Sequence, residues 1–150
     1  MTELLYVITG PPAAGKSSWI EARAQATDIV IDLDRITSAL TGPGAPAWNQ
    51  HPIAVKVAQR ARYAAIDEAL KHHDQVDVYL IHTQPSRKWL ARYQHHQAEI
   101  ITVDPGRDIV MQRVRDMRSP GLLAVATRWY QQHTKQQHGR PTGRQASRAW

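Results

Sequence analysis

The chain has 150 residues, enough for one compact domain and too few for a second catalytic one. It lacks cysteine, which excludes disulfides, thiolate metal sites and a Cys nucleophile, and it lacks phenylalanine, so Leu, Ile, Val, Ala and Trp must fill the core. The net charge of +6 is unevenly placed: residues 1–116 hold all 13 acidic residues and 13 of the 19 Lys and Arg, whereas residues 117–150 hold Arg118, Arg128, Lys135, Arg140, Arg144 and Arg148 and no acid. Such a basic end either attracts phosphate backbones without sequence preference or serves as a solvated tail.

In chain order, residues 4–9 form a short apolar, β-favouring run and are expected to be a buried strand. The run is too short for a membrane span or a signal-peptide core, so the expectation is a soluble, cytoplasmic chain with no membrane partner. A Gly/Pro-rich loop follows, then a helix over 15–26, a second strand over 28–32 and a short helix over 34–40 stopped by Thr41-Gly42-Pro43-Gly44-Ala45-Pro46. Ala54, Ala58, Ala61, Ala65 and Ala69 mark a helical stripe over 53–70. A third strand is expected over 76–81, a helix over 85–96 and a fourth strand over 100–103. Pro105 suits a first helical turn, so a helix is expected from there to Arg118, and another over 121–131. From residue 133 Gln, His, Gly, Arg, Pro and Ser dominate, which predicts a body over 1–132 and a disordered basic tail over 133–150.

Strands alternating with helices imply a parallel sheet covered on both faces. The expected fold is α/β, a three-layer sandwich of the P-loop NTPase type with about four strands. In such a sheet the ligand lies beyond the carboxyl ends of the strands. Gly10, Asp32 to Asp34, His82-Thr83 and Asp104-Pro105 stand there.

The loop Gly10-Pro11-Pro12-Ala13-Ala14-Gly15-Lys16-Ser17 satisfies G-x-x-x-x-G-K-[ST]. Its glycines let the backbone curl so that N–H groups point inward at phosphates, and the following helix adds its positive end. Lys16 reaches the β- and γ-phosphates, the Ser17 hydroxyl ligates Mg²⁺, and Ser18 continues the binding surface. A nucleoside triphosphate, ATP with Mg²⁺, is the expected ligand. Fewer than about one chain in a hundred of this length carries the pattern by chance.

With the loop, with Asp34 in Ile29-Val30-Ile31-Asp32-Leu33-Asp34-Arg35, with no large inserted domain, and with Asp104-Pro105 before an Arg-bearing helix, residues 4–118 resemble the small P-loop kinases. That family includes polynucleotide 5′-kinases, zeta-type toxins and chloramphenicol phosphotransferases. The resemblance implies an ATP-dependent kinase that moves the γ-phosphoryl group to an acceptor hydroxyl on a nucleoside, nucleotide or nucleic acid. It implies Asp34 as the base that takes the acceptor proton, with Asp32 as second choice. The alternative for Asp34 is a helix N-cap. Arg113 matches the family's phosphate-clamping lid arginines best, with Arg115 and Arg118 as further candidates. The residues implied for catalysis are thus Lys16, Asp34 and Arg113. Those implied for nucleotide binding are the loop, Ser18, Arg113 and Arg118, and those for metal are Ser17 and Asp32.

Two departures bear on the acceptor and the metal. Arg35 follows Asp34 directly, where polynucleotide kinases carry an arginine about three residues later, and Ile81-His82-Thr83 offers no Walker-B aspartate. The rival functions are an NTPase that drives a partner and a basic nucleic-acid-binding accessory protein.

Weaker signals remain. Trp48 suits either a stacking role over the acceptor or a cap on the core. Arg60 and Arg62 are expected to be solvated helix positions, with contact to an acceptor phosphate as the alternative, and His82 is expected to be structural, with a polar contact to the γ-phosphate or acceptor as the alternative. His72-His73 and His95-His96 point different ways on their helices and make poor chelates.

Overall fold

The computed structural model describes residues 4–117 and 119–139. Its elements are β1 (Leu5–Thr9), α1 (Lys16–Glu21), β2 (Ile29–Ile31), α2 (Leu33–Ala39), α3 (Pro52–Ala69), β3 (Val78–Ile81), α4 (Arg87–His95), β4 (Glu99–Thr102), α5 (Arg107–Asp116) and α6 (Pro120–Gly139). The four strands form one parallel sheet in the order β2-β3-β1-β4.

Side chains alternate across the pleat, so each strand feeds two cores. Leu5, Val7, Ile31, Val78 and Leu80 pack with Ile66 and Ala69 of α3, Leu70 beyond it and Tyr93 of α4. Ile8, Tyr79 and Ile101 face the other way and pack with Ile20 of α1, Val110 and Val114 of α5 and Ala126 of α6. Burying each large apolar side chain contributes about 1.5–3 kcal/mol. Tyr93 buries the aromatic bulk that phenylalanine supplies in other cores.

Several boundaries differ from the sequence reading, each for a local reason. Helix α1 ends at Glu21, and the Asp28 carboxylate accepts the Gln25 N–H at 2.8 Å, which holds the following turn. Pro105 lies before α5 and not in its first turn: Gly106 is the N-cap, at φ 116°, and its N–H is taken by the Asp104 carboxylate at 2.9 Å. Helix α6 continues to Gly139, beyond the expected end at 131. Gln and Lys sustain a helix well, and no breaker intervenes before Gly139. His133 stacks on buried Trp129 with ring centroids 3.6 Å apart, which binds the start of the expected tail to the body. Residues 140–150 lie outside the described residues. Among the described residues no helix is long and apolar enough to cross a membrane.

The parallel arrangement gathers the carboxyl ends of β1, β2 and β3 at one edge. The connection after β1 begins at Gly10, whose N–H donates to Thr83 O at 3.3 Å. Gly10 has φ 142°, and a Cβ there would overlap the carbonyl oxygen of Val103. Only glycine fits where the backbone of the loop passes this close to the end of β4.

Candidate active site

A cleft of about 830 Å³ opens at this edge, lined by the loop, the start of α2, the 48–50 segment, α3, the end of β3 and the α5–α6 connection. The loop supplies one wall from consecutive residues. Gly15 at φ 100° and Ala13 at φ 59° turn the backbone through the left-handed region. The Lys16 side chain is 9% exposed and folds back into the ring so formed. Its Nζ donates to Gly10 O at 2.8 Å and to Pro11 O at 2.5 Å. Burial lowers its pKa from the ordinary 10.5 to about 8, against the opposing pull of Asp32 and Asp34. Among the described residues the hydrogen bonds of this ammonium go to carbonyl oxygens, and the carboxylates of Asp32 and Asp34 act on it through space.

Ser17 opens α1 beside it and donates its hydroxyl to Asp32 Oδ2 at 2.7 Å. The other Asp32 oxygen accepts the Asp34 N–H at 3.0 Å and so caps α2. The cap is therefore Asp32 and not Asp34, which frees the Asp34 carboxylate for the cleft. Asp34 stays in contact with water but stands inside a concave wall. Surrounding protein and the neighbouring Asp32 charge raise its pKa, with Gln50 and Lys16 partly opposing.

From the far side of the sequence, Arg113 of α5 reaches the loop and donates from Nη1 to Ala13 O at 3.0 Å. Lys16, Ser17, Ser18, Asp32, Asp34 and Arg113 therefore border one cleft. Gly10 and Pro11 lie behind it and hold the lysine. Arg115 does not border it, in keeping with the opposed directions of residues two apart on a helix. Arg118 falls outside the described residues. Asp104 serves the frame: besides Gly106 it accepts the Tyr130 hydroxyl at 2.7 Å and ties β4 to α6.

The other wall departs from the sequence reading. Arg62 is 6% exposed and not solvated. It lies on the buried stripe Ala58, Arg62, Ile66 and Ala69, at spacings of four, four and three. The signal was present in that spacing but was masked by the alanines, which suggested a stripe through Ala61 and Ala65. Nη2 of Arg62 donates to Ile81 O at 2.8 Å at the end of β3. Arg60 is exposed, as expected. His82 is 9% exposed, and its Nδ1 lies 2.7 Å from the Tyr93 hydroxyl. Burial, and secondarily the Arg62 charge, lower its pKa to about 4, so it is neutral near pH 7. Trp48 stands on the rim of the cleft, 38% exposed. Across the molecule, His73 Nε2 and His96 Nδ1 lie 3.2 Å apart. Among the described residues no three metal-binding side chains cluster.

No family model matches the chain, and no curated protein does. Among solved structures it is similar to a chain described as "Structure of Pnkp1/Rnl/Hen1 complex", at 18% identity and a TM-score of 0.49, over 75% of this chain and 39% of that one. The chain thus spans well under half the length of that neighbour.

Proposed function

We propose that this chain is a P-loop kinase that moves the γ-phosphoryl group of ATP to an acceptor hydroxyl. The observation that carries the reading is the placement of three groups in one cleft: a buried lysine hydrogen-bonded to the carbonyls of its own loop, a serine–aspartate oxygen pair beside it, and the Asp34 carboxylate on the same wall. Phosphoryl transfer requires little covalent chemistry from a protein; it requires positioning and charge.

Lys16 exchanges its two carbonyl partners for phosphate oxygens, which are better acceptors for an ammonium. Ser17 and Asp32 present oxygens of the hard type that suits Mg²⁺, and these two would hold the ion. A divalent ion held there would supply positive charge to offset that of the phosphates. Asp34 orients the acceptor hydroxyl and takes its proton as the new O–P bond forms and the bond to ADP breaks. Its raised pKa makes it a stronger base than an ordinary aspartate. Arg113, anchored on the loop at Ala13, adds positive charge where the transferred group passes. The basic residues after 116 favour a nucleotide or nucleic-acid acceptor.

The test is an acceptor screen with γ-labelled ATP over nucleosides, oligonucleotides with 5′-hydroxyls, modified DNA and sugars. Label should move to an acceptor, and the transfer should require Lys16 and Asp34. Phosphate release that ignores every added hydroxyl would replace the kinase with an NTPase.

A further inference from the structure

The far half of the cleft contains a guanidinium that the transfer chemistry does not use. Arg62 projects from the buried stripe of α3 and borders the cleft beside Gln59 and His82. Its hydrogen-bond partners are neutral: Nη2 donates to Ile81 O at 2.8 Å and Nη1 to Gln59 Oε1 at 3.4 Å. The ion pairs among the described residues involve Lys71, His72 and Arg92, and none involves Arg62. A permanently charged group buried without a counter-charge is costly to fold, and arginine cannot shed its proton to escape the cost. The other N–H groups of the fork have no partner among the described residues. His82 beside it uses Nδ1 on Tyr93 and makes no further hydrogen bond among the described residues. The Gln59 oxygen is engaged by Arg62, which leaves its amide N–H₂ to donate.

Resting on the kinase reading above, we infer that Arg62 is the anchor for a phosphate group carried by the acceptor, with His82 and Gln59 as neutral donors beside it. The acceptor is then a phosphorylated compound and not a neutral sugar or amide. A fork alone would satisfy the two oxygens of a carboxylate; three donor side chains match the three free oxygens of a phosphate monoester. The counter-charge missing from the protein is supplied by the substrate. Asp34 and Arg62 border the same cleft, so a molecule held by its phosphate at Arg62 can present a hydroxyl to Asp34.

The experiment uses the whole chain saturated with Mg²⁺ and a non-hydrolysable ATP analogue. Monomethyl and dimethyl phosphate are titrated in, and tryptophan fluorescence is read, since the Trp89 ring lies 5.7 Å from the His82 ring. The wild type should give a saturable response in the millimolar range. Arg62→Gln should weaken it at least tenfold and leave analogue affinity unchanged. Arg62→Lys, which keeps the charge without the fork, should weaken it several-fold, and it carries the test alone if the Gln variant does not fold. Preference for the monomethyl ester indicates a terminal phosphate, as on a mononucleotide, and supports the inference. Preference for the dimethyl ester, which has only two free oxygens, overturns it. It is overturned if the wild type gives no saturable response or if Arg62→Gln leaves the response unaltered. It is also overturned if that substitution weakens the analogue by the same factor, since Arg62 would then belong to the nucleotide. A parallel titration of Lys16→Ala reports on Arg62 with the loop disabled. The phosphate response persists there even if the analogue binds neither protein, in which case the kinase reading fails and the anion site stands.

Discussion

Around Lys16, consecutive residues from Gly10 to Ser17 supply nearly every contact, and most of the groups that would face a ligand are backbone. Around Arg62, the wall is drawn from α3, the end of β3 and, through Tyr93, α4, and the facing groups are side chains. The two walls also hold their cations differently. The Lys16 ammonium lowers its cost by a depressed pKa, to about 8, whereas Arg62 stays charged and relies on a carbonyl and an amide oxygen. A backbone-built site is specified by where the chain turns, and it can be general for any triphosphate. A side-chain-built site is specified by packing, and it can discriminate among acceptors.

The largest effect that bears on this contrast should come from Lys16→Ala. Turnover is expected to fall to background. The melting temperature without nucleotide should hold or rise, because a buried, desolvated ammonium is removed. Full turnover in that variant, measured with γ-labelled ATP, would break the assignment of the loop. Asp34→Asn comes next. It should lower turnover by roughly 10²–10⁴, the range for a lost general base, with ATP affinity within a few-fold of wild type. If Asp32→Asn produces that pattern instead, the base is the capping carboxylate. Loss of stability in Asp32→Asn is expected in any case, because that residue holds both Ser17 and the Asp34 N–H.

The third effect is one of pH on the loop wall. Phosphates favour charged Lys16, so nucleotide binding near pH 8 should take up a proton. Affinity should fall by up to about tenfold per pH unit above pH 8. Calorimetry in two buffers of different ionisation heat measures the uptake, and equal heats would show that Lys16 is already fully charged. The smallest effect probes the other wall. The folded-state pKa of His82, about 4, lies below the ordinary 6.5, so on acidification the unfolded chain takes a proton first. Stability should fall as the pH drops from 6.5 towards 4 and then level as the folded imidazole is also protonated. His82→Gln should reduce that acid loss by about 2 kcal/mol in urea titrations at pH 7 and pH 4.5. An unchanged loss would show that His82 titrates normally.

The sequence by itself determined the parallel α/β alternation, the loop and the strand-end carboxylates. These are local: hydrophobic period, glycine placement and residue order act over a few neighbours, as in Leu5–Thr9 followed at once by Gly10. Asp32 and Asp34 were both legible as candidates. Which of them caps α2 was decided by the tertiary structure, because the hydroxyl of Ser17, 15 positions away, fixes one Asp32 oxygen and so aims the other at the Asp34 N–H. The approach of Arg113 to Ala13 was legible as an expectation, but its distance of 100 positions in sequence is closed only when α5 packs against the sheet. Pro105 and the end of α6 were misread because a cap and a stacking partner, Asp104 on Gly106 and Trp129 under His133, outweigh the composition of the segment. Arg62 was legible as a candidate for an acceptor phosphate, but the solvated reading ranked above it for a plainer reason. A guanidinium is ordinarily solvated, and only the packing of α3 across the end of β3 turns that position inward, where Ile81 O and Gln59 receive it and the cleft begins.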